Sequence, residues 1–331
     1  MSGLSRVARY APCHGGRAAP GSVGCVTTWA LDEPLLVDRA AERRDQVDLT
    51  ALDAVVVRDG SLLAMDGQLA LLAPAEQPSA SLRVYLGVDA GRDLAAIVPE
   101  DPAFGADTDG IGGESMVPLR ALLGQLSARG RDGARDRELA ATAVALTTWH
   151  ANHPVCSVCG DRTEPIKGGW VRYCERDKKE HYPRTDPAVI VAITDPEDRL
   201  LLAHASYWSP RRFSHLAGYV EPGESLEQAA HREVFEEAQL LMRDLTYVAS
   251  QPWPFPASIM VGFTATVESP EFVLDQDEIS EAMFVSREDI VGLVADGTVI
   301  LAPHGSIARR LLEDWYGGPL ADGKRAERID V

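Results

Sequence analysis

The 331-residue chain carries 32 lysines and arginines against 50 aspartates and glutamates, a formal charge of −18 at pH 7. So acidic a surface repels nucleic-acid backbones and anionic membranes, which excludes a protein that coats RNA, DNA or lipid by general electrostatics. There is no run of about eighteen apolar residues and no short apolar core behind a basic start, so neither a membrane span nor a signal peptide is expected, and a reducing cytoplasm is.

Residues 1–26 contain arginines, glycines and prolines but no acidic residue, and read as a mobile N-terminal arm with Cys13 and Cys25 as free thiols. An α/β domain with a connecting helix is expected over 27–150. Its apolar runs Ala54–Val57, Leu69–Leu72, Leu82–Val88 and Leu94–Val98 are separated by Asp59-Gly60, Asp66-Gly67 and Asp89-Ala90-Gly91, the pattern of strands joined by tight turns. Residues 137–150 read as a helix.

Residues 151–185 read as a metal ribbon. Cys156-Ser157-Val158-Cys159 is followed after fourteen residues by Cys174, the spacing of a zinc site whose fourth cysteine is missing. Asp177 stands in register for the fourth ligand, and His181 is its rival, since carboxylate oxygen and imidazole nitrogen both bind Zn²⁺ at about 2 Å.

Over 186–318, Ala188–Thr194, Arg199–Ala203 and Met260–Val267 are strand-like, and Ser306–Trp315 reads as a helix capped by Ser306, leaving 319–331 as a C-terminal tail. Between the strands, residues 218–240 read GYVEPGESLEQAAHREVFEEAQL. Ser225 and Gln228 have the form of a capping box, which starts a helix just after Glu224. On that helix Glu233, Glu236 and Glu237 converge, while Leu226, Ala229, Ala230 and Val234 offer an apolar side for a sheet. Clustered carboxylates of this kind suit Mg²⁺ or Mn²⁺, which are commonly shared with substrate phosphates. Thirteen residues after Glu237 begins Ser250-Gln251-Pro252-Trp253-Pro254-Phe255-Pro256-Ala257-Ser258. Its prolines make a stiff extended segment unsuited to a central strand. Trp253 and Phe255 supply flat faces for a base or pyridine ring, and Gln251 and Ser258 can donate to ribose or phosphate.

The pattern G-x5-E-x7-R-E-V-x-E-E from Gly218 to Glu237 resembles the Nudix box of the Nudix hydrolases, and the 250–258 array resembles the SQPWPFPxS motif of their NADH pyrophosphatase branch. One position departs: where the family has a glycine this chain has Gln239, so the helix is expected to run on through Leu241 to Asp244. The resemblance implies an α+β fold, a Nudix αβα sandwich preceded by a zinc ribbon and a diverged, catalytically empty Nudix-like N-terminal domain that helps build a homodimer. It implies structural Zn²⁺, catalytic Mg²⁺ or Mn²⁺, and a pairing of Glu224 with Arg232 that braces the loop.

The resemblance also distributes roles. Glu233, Glu236 and Glu237 are the implied catalytic carboxylates, with Glu237 the leading candidate for orienting the attacking water. The Ala217 carbonyl and Glu278 join them as metal ligands. Substrate contacts fall to Tyr182, Tyr219, the whole run Gln251, Pro252, Trp253, Pro254, Phe255, Pro256, Ala257 and Ser258, and Ala308 at a helix N-terminus suited to anions. Arg120 matches a substrate arginine of the first domain, and is equally readable as a solvated helix residue. The implied reaction splits the pyrophosphate of NAD(H) into NMN(H) and AMP, and removes NAD caps from RNA 5′ ends. ADP-ribose or another dinucleotide is the alternative substrate, and a non-catalytic zinc-ribbon RNA-binding module the alternative class.

Overall fold

The computed structural model describes residues 34–105 and 114–323; the N-terminal arm with Cys13 and Cys25, and the end of the tail, lie outside the described residues. The first unit contains β1 (Asp53–Arg58), β2 (Ser61–Met65), β3 (Gln68–Leu69), β4 (Ala80–Asp89), β5 (Arg92–Pro99) and β6 (Glu114–Pro118), then α1 (Leu119–Ala128) and α2 (Ala134–Asn152). Asp59-Gly60, Asp66-Gly67 and Ala90-Gly91 all have positive φ at both residues, the turn geometry whose twist matches the strands it joins. The Leu69–Leu72 run is only partly a strand. Beyond Leu69 it keeps a single bridge from Leu72 to Ala54, because Pro74 opens a 3-10 turn over Pro74–Glu76.

A three-stranded ribbon follows, with β7 (Glu164–Ile166), β8 (Val171–Cys174) and β9 (Lys179–His181). The last unit contains β10 (Asp186–Thr194), β11 (Leu200–Ala205), β12 (Leu216–Tyr219), α3 (Leu226–Ala238), β13 (Met242–Trp253), β14 (Ser258–Val267), β15 (Ile279–Val285), α4 (Arg287–Ala295) and α5 (Ile307–Tyr316). Its strand order is β13-β14-β10-β11-β15, with β12 paired to β10. Alternation along β10 builds both cores. Val189, Val191 and Ile193 face α3 residues Ala229, Ala230, Val234 and Ala238, while Ile190 and Ala192 pack with Ile290 of α4 and Ile307, Leu311 and Leu312 of α5. This is the expected αβα sandwich.

The two sheets share one wiring in all but the third strand of each unit, β3 pairing with β2 and β12 with β10. β1 runs parallel to β5 and antiparallel to β2, β5 pairs with β4, and β2 pairs with β6. In the last unit β10 is parallel to β14 and antiparallel to β11, β14 pairs with β13, and β11 pairs with β15. Where the second unit inserts α3 between β12 and β13, the first has only the Pro74–Glu76 turn between β3 and β4. The face thereby left without a helix is small-featured, with Ala54, Ala70 and Ala95 around Val56, Leu63 and Ile97.

Two expectations need correction. α3 does not run on to Asp244; it stops at Ala238, and Gln239 itself takes the left-handed conformation at φ 55° and ψ 25°. The helix end is pinned from outside, because Val273 N–H donates to the Ala238 carbonyl and Asp275 N–H to that of Glu237, both at 3.1 Å. Residues 319–322, expected in the tail, belong to the packed domain. Leu320 is buried, its carbonyl accepts from Arg309, and Asp322 pairs with Arg309 at 3.0 Å. No helix among the described residues is long and apolar enough to cross a membrane.

The ribbon is docked on the first unit. A Cβ on Gly168 or Gly169 would come within 2.9 Å of Tyr85 or Val84 side chains of β4, and Trp170 Nε1 donates to the Tyr85 carbonyl at 2.7 Å with Arg44 stacked 3.8 Å over its ring. Buried His150, in the last turn of α2, spans the junction. Its Nε2–H donates to the Gly169 carbonyl at 2.7 Å, so Nδ1 accepts from Arg172 at 2.7 Å.

Relieving the left-handed strain at Gln239 with Gln239→Gly is expected to stabilise the fold by about 1 kcal/mol, read as a raised denaturant midpoint. Burial, and secondarily the Arg172 charge, hold the His150 imidazole down to about 4, against the Gly169 hydrogen bond. A folded pKa below the ordinary ~6.5 favours the neutral ring, so its contribution is complete above about pH 6.5 and is lost as pH falls toward 4. The thermal midpoint should drop across that window, and drop less in His150→Gln, whose amide keeps both hydrogen bonds without titrating.

Candidate active site

α3 starts as its sequence demands: Ser225 Oγ accepts from Gln228 N–H at 3.1 Å and Gln228 Oε1 accepts from Ser225 N–H at 2.9 Å. With its apolar side on the sheet, its acidic side faces β12. Glu233 lies directly on Gly218, where an added Cβ would meet the carboxylate at 1.9 Å. The glycine of the box is thus required by contact. Its φ is not in the left-handed region.

One turn on, Glu237 is buried, with Oε2 unpartnered and the Ala217 backbone N–H as its hydrogen-bond donor. Burial first, then the charges of Glu233 and Glu278, push its carboxyl up to about 8. Burial also raises Glu233, against the neighbouring Arg232. Glu278 reaches this group from the loop before β15, held by its own N–H to the Asp275 carbonyl and by Ser206 N–H on its carbonyl. Glu236 points outward and is the most exposed of the three helix carboxylates.

Arg232 organises the group. It grips Glu224 through Nε at 2.6 Å and NH2 at 2.8 Å, donates to the Tyr219 carbonyl at 2.9 Å, and pairs with Glu233 and Glu236 at 2.9 Å each. That hydrogen-bonded pairing holds the Glu224 carboxyl down to about 2. The expected Glu224 brace is therefore present. A buried carboxylate oxygen with no partner, beside two more carboxylates and a strand edge presenting Ala217, fits a divalent cation by its donor chemistry.

The 250–258 array forms the next wall. It occupies the end of β13, the edge of the sheet, and the turn into β14, so Pro252 removes no donor from a central strand. Trp253 and Phe255 meet edge to face at 4.9 Å. Pro254 is buried, Pro252 and Pro256 are exposed, and the Ala257 carbonyl accepts from Asp186 N–H at 2.8 Å. Gln251 is a correction. It is buried, donates to the Gly305 carbonyl at 2.8 Å and accepts from Ile307 N–H at 2.7 Å, so its amide is committed to shaping the start of α5 and is not a free donor to ribose. Ser258, also buried, shares a 3.2 Å hydrogen bond with the exposed Tyr219. The exposed Tyr182 is bonded to Glu180. The Ala308 carbonyl accepts from buried His215 at 3.1 Å.

Arg120 is not merely a solvated helix residue. From α1 of the first unit its guanidinium lies 5.3 Å from the Trp253 ring and 4.5 Å from that of Phe255. A cavity of about 710 Å³ between the two units is lined by Leu119, Arg120, Thr147 and Asn152 on one side and Pro254–Pro256 on the other. The sequence reading missed Arg212, which caps the Trp208 ring at 4.7 Å and acts electrostatically on Arg120; its only signal was the Arg211-Arg212 pair beside a tryptophan.

At the ribbon, one ligand atom from each of Cys156, Cys159, Cys174 and Asp177 lies within 4.8 Å of the others. Asp177 Oδ2 is 3.2 Å from Cys156 Sγ, Cys159 and Cys174 sulfurs are 3.5 Å apart, and the N–H groups of Val158 and Asp177 donate to Cys156 and Cys174 at 3.4 Å. Those amides favour thiolates, and the set is a tetrahedral-site complement for Zn²⁺. His181, the rival, is not in the group; its Nε2 is buried elsewhere without a partner.

Profile comparison matches the Nudix domain over residues 184–304 and the NADH pyrophosphatase zinc ribbon domain over 151–182. Proteins named NAD-capped RNA hydrolase NudC from Mycobacterium bovis and Mycobacterium tuberculosis are 36% identical over 305 residues, 85% of this chain and 94% of theirs. The chain belongs to the NudC family of Nudix hydrolases. A NudC from Escherichia coli is 40% identical over 179 residues, 54% of this chain and 65% of that one. Among solved structures, a Nudix hydrolase from Nitrosomonas europaea aligns with TM-score 0.39 at 22% identity, covering 51% of this chain and 96% of that one.

For this NudC-family ribbon, Asp177→Ala and Cys174→Ser are each expected to lose zinc and lower the thermal midpoint, whereas His181→Ala retains about one zinc per chain by metal analysis.

Proposed function

We infer that this protein hydrolyses the pyrophosphate bond of NAD(H), giving NMN(H) and AMP, and removes NAD caps from RNA 5′ ends. The observation that carries the reading is buried Glu237 with the charges of half-buried Glu233 and exposed Glu278 acting on it, placed in the same domain as the aromatic array Trp253–Phe255, in a chain similar to NudC proteins over most of its length.

Glu233, Glu236, Glu237 and Glu278, with the Ala217 carbonyl, would hold Mg²⁺ or Mn²⁺. Bound there, the ions neutralise the two phosphate charges and acidify a water. The chain's own groups do the rest. Glu237, buried beside Ala217, orients the attacking water and takes its proton. Tyr219, tied to Ser258, presents an exposed ring for the nicotinamide or adenine. Trp253 and Phe255 form a second platform with Arg120 across it, and Tyr182 and Ala308 border the substrate. Gln251 acts by fixing the Gly305–Ile307 backbone. Zinc on Cys156, Cys159, Cys174 and Asp177 is structural. A second copy of the chain is the proposed partner, supported by exposed apolar Phe235, Leu241 and Tyr247.

Offered NADH, ADP-ribose and NAD-capped RNA in parallel with Mg²⁺ or Mn²⁺, the protein should release AMP from NADH and a 5′-monophosphate RNA from the capped strand, with ADP-ribose the poorer substrate. Glu237→Gln should lower turnover by at least about 100-fold with unfolding unchanged. Full activity in a folded Glu237→Gln protein would remove the assignment.

A further inference from the structure

Next to the segment that supplies Glu278 stands a loop that the hydrolysis does not use. It joins β11 to β12 and reads Ser206-Tyr207-Trp208-Ser209-Pro210-Arg211-Arg212, two aromatics and two arginines without a carboxylate, in a chain of charge −18. Tyr207 is 80% exposed, more than any other large apolar side chain among the described residues. The loop that carries it is nonetheless firmly held. Ser206 N–H donates to the Glu278 carbonyl and Ser206 Oγ to that of Asp277, both at 2.8 Å. At the other end His204 Nδ1 donates to the Arg212 carbonyl and Ile300 N–H to that of Arg211, both at 2.7 Å.

Trp208 anchors the middle. It packs on the core beneath α3, His204 meets it edge to face at 6.4 Å, and the Arg212 guanidinium lies 4.7 Å over its ring. Tyr207 in turn stands edge to face against Trp208 at 6.2 Å. The exposed ring is therefore presented in place, so little freedom is lost when another flat ring settles on it. Among the described residues neither arginine forms a salt bridge. Arg211, exposed, donates to the Gly297 carbonyl at 3.2 Å.

The rings of the dinucleotide are already provided for by Tyr219 and the aromatic array, which join at Ser258, whereas this loop joins the site through the Glu278 segment. A capped strand continues past the cap with unstacked bases and phosphodiesters, which call for ring faces and cations together. We propose that Tyr207, with Arg211 and Arg212 of the same loop, is a platform for the single-stranded RNA that follows the NAD cap, a base stacking on the tyrosine and phosphodiesters pairing with the arginines. A chain this acidic cannot hold RNA by its overall field, so the strand is held at a local site. The proposal rests on the NAD-cap reading above.

Binding of a product strand tests it without turnover. A fluorescein-labelled, 5′-monophosphorylated RNA hexamer is titrated with the full chain and followed by anisotropy, beside the same hexamer in a duplex and AMP as a competitor. The wild type should bind the single strand at least about tenfold more tightly than AMP or the duplex. Tyr207→Ala should weaken the strand about tenfold and Tyr207→Phe should keep wild-type affinity. Arg211→Gln should weaken it and flatten the slope of log K against log salt by about 0.7. KM and kcat for NADH should stay within about twofold in all three variants. The proposal is overturned if the wild type binds the strand no better than AMP or the duplex, or if Tyr207→Ala keeps the preference. It is equally overturned if Tyr207→Ala raises KM for NADH by the same factor, which would assign the ring to the dinucleotide. Failure of the diphosphatase reading appears separately, as absence of AMP release from NADH by the wild type.

Discussion

Arg232 is the cation on which the acidic side of α3 depends. Three of the carboxylates it touches, Glu224, Glu233 and Glu236, would repel one another on a loop and a helix that must lie together, and its bond to the Tyr219 carbonyl ties the same group to β12. With the outer charges compensated, Glu237 is left as the carboxylate that is buried, partly unpaired and shifted upward. Breaking such a pairing leaves uncompensated charge, which costs far more than the pair contributes. On the acidic side, the loop, the helix and the strand are therefore tied together by a single guanidinium, while the apolar side of α3 is held by the sheet.

Much of this was legible in the sequence because it is local. The capping box at Ser225, the spacing of Glu233, Glu236 and Glu237, and the knuckle Cys156–Cys159 are short-range patterns whose geometry follows from helix and turn rules. The doublet turns at Asp59-Gly60 and Asp66-Gly67 were equally plain. What stayed hidden was long-range. No internal repeat is visible in the residues, yet five of the six strands in each sheet pair alike, because wiring is set by which strands pair and not by which apolar residues fill them. The turn at Pro74–Glu76 replaces a whole helix without leaving a sequence signature of the loss.

Individual residues show the same division. Gln239 was read as forcing a longer helix; the end is instead fixed by the 273–275 segment, 34 or more residues away in the chain, whose backbone N–H groups take the last carbonyls. Gln251 has the chemistry of a ligand donor, but its amide is spent on Gly305 and Ile307. Arg120 could be read two ways until the fold brought Trp253 and Phe255 beneath it. Asp177 and His181 were both able to bind zinc, and only the ribbon's closure separates them.

The docking of Gly168, Gly169 and Trp170 on β4 gives the ribbon a mechanical consequence. The cleft has walls from two units, and the ribbon is the covalent path between them. With Zn²⁺ holding it folded, Arg120 meets the aromatic array at the high effective concentration of a short, stiff tether. A ribbon without metal is a flexible linker of some thirty residues, and the same side chains would meet at a concentration set by chain statistics. Zinc bound at Cys156, Cys159, Cys174 and Asp177 would thus set how often the cleft is complete.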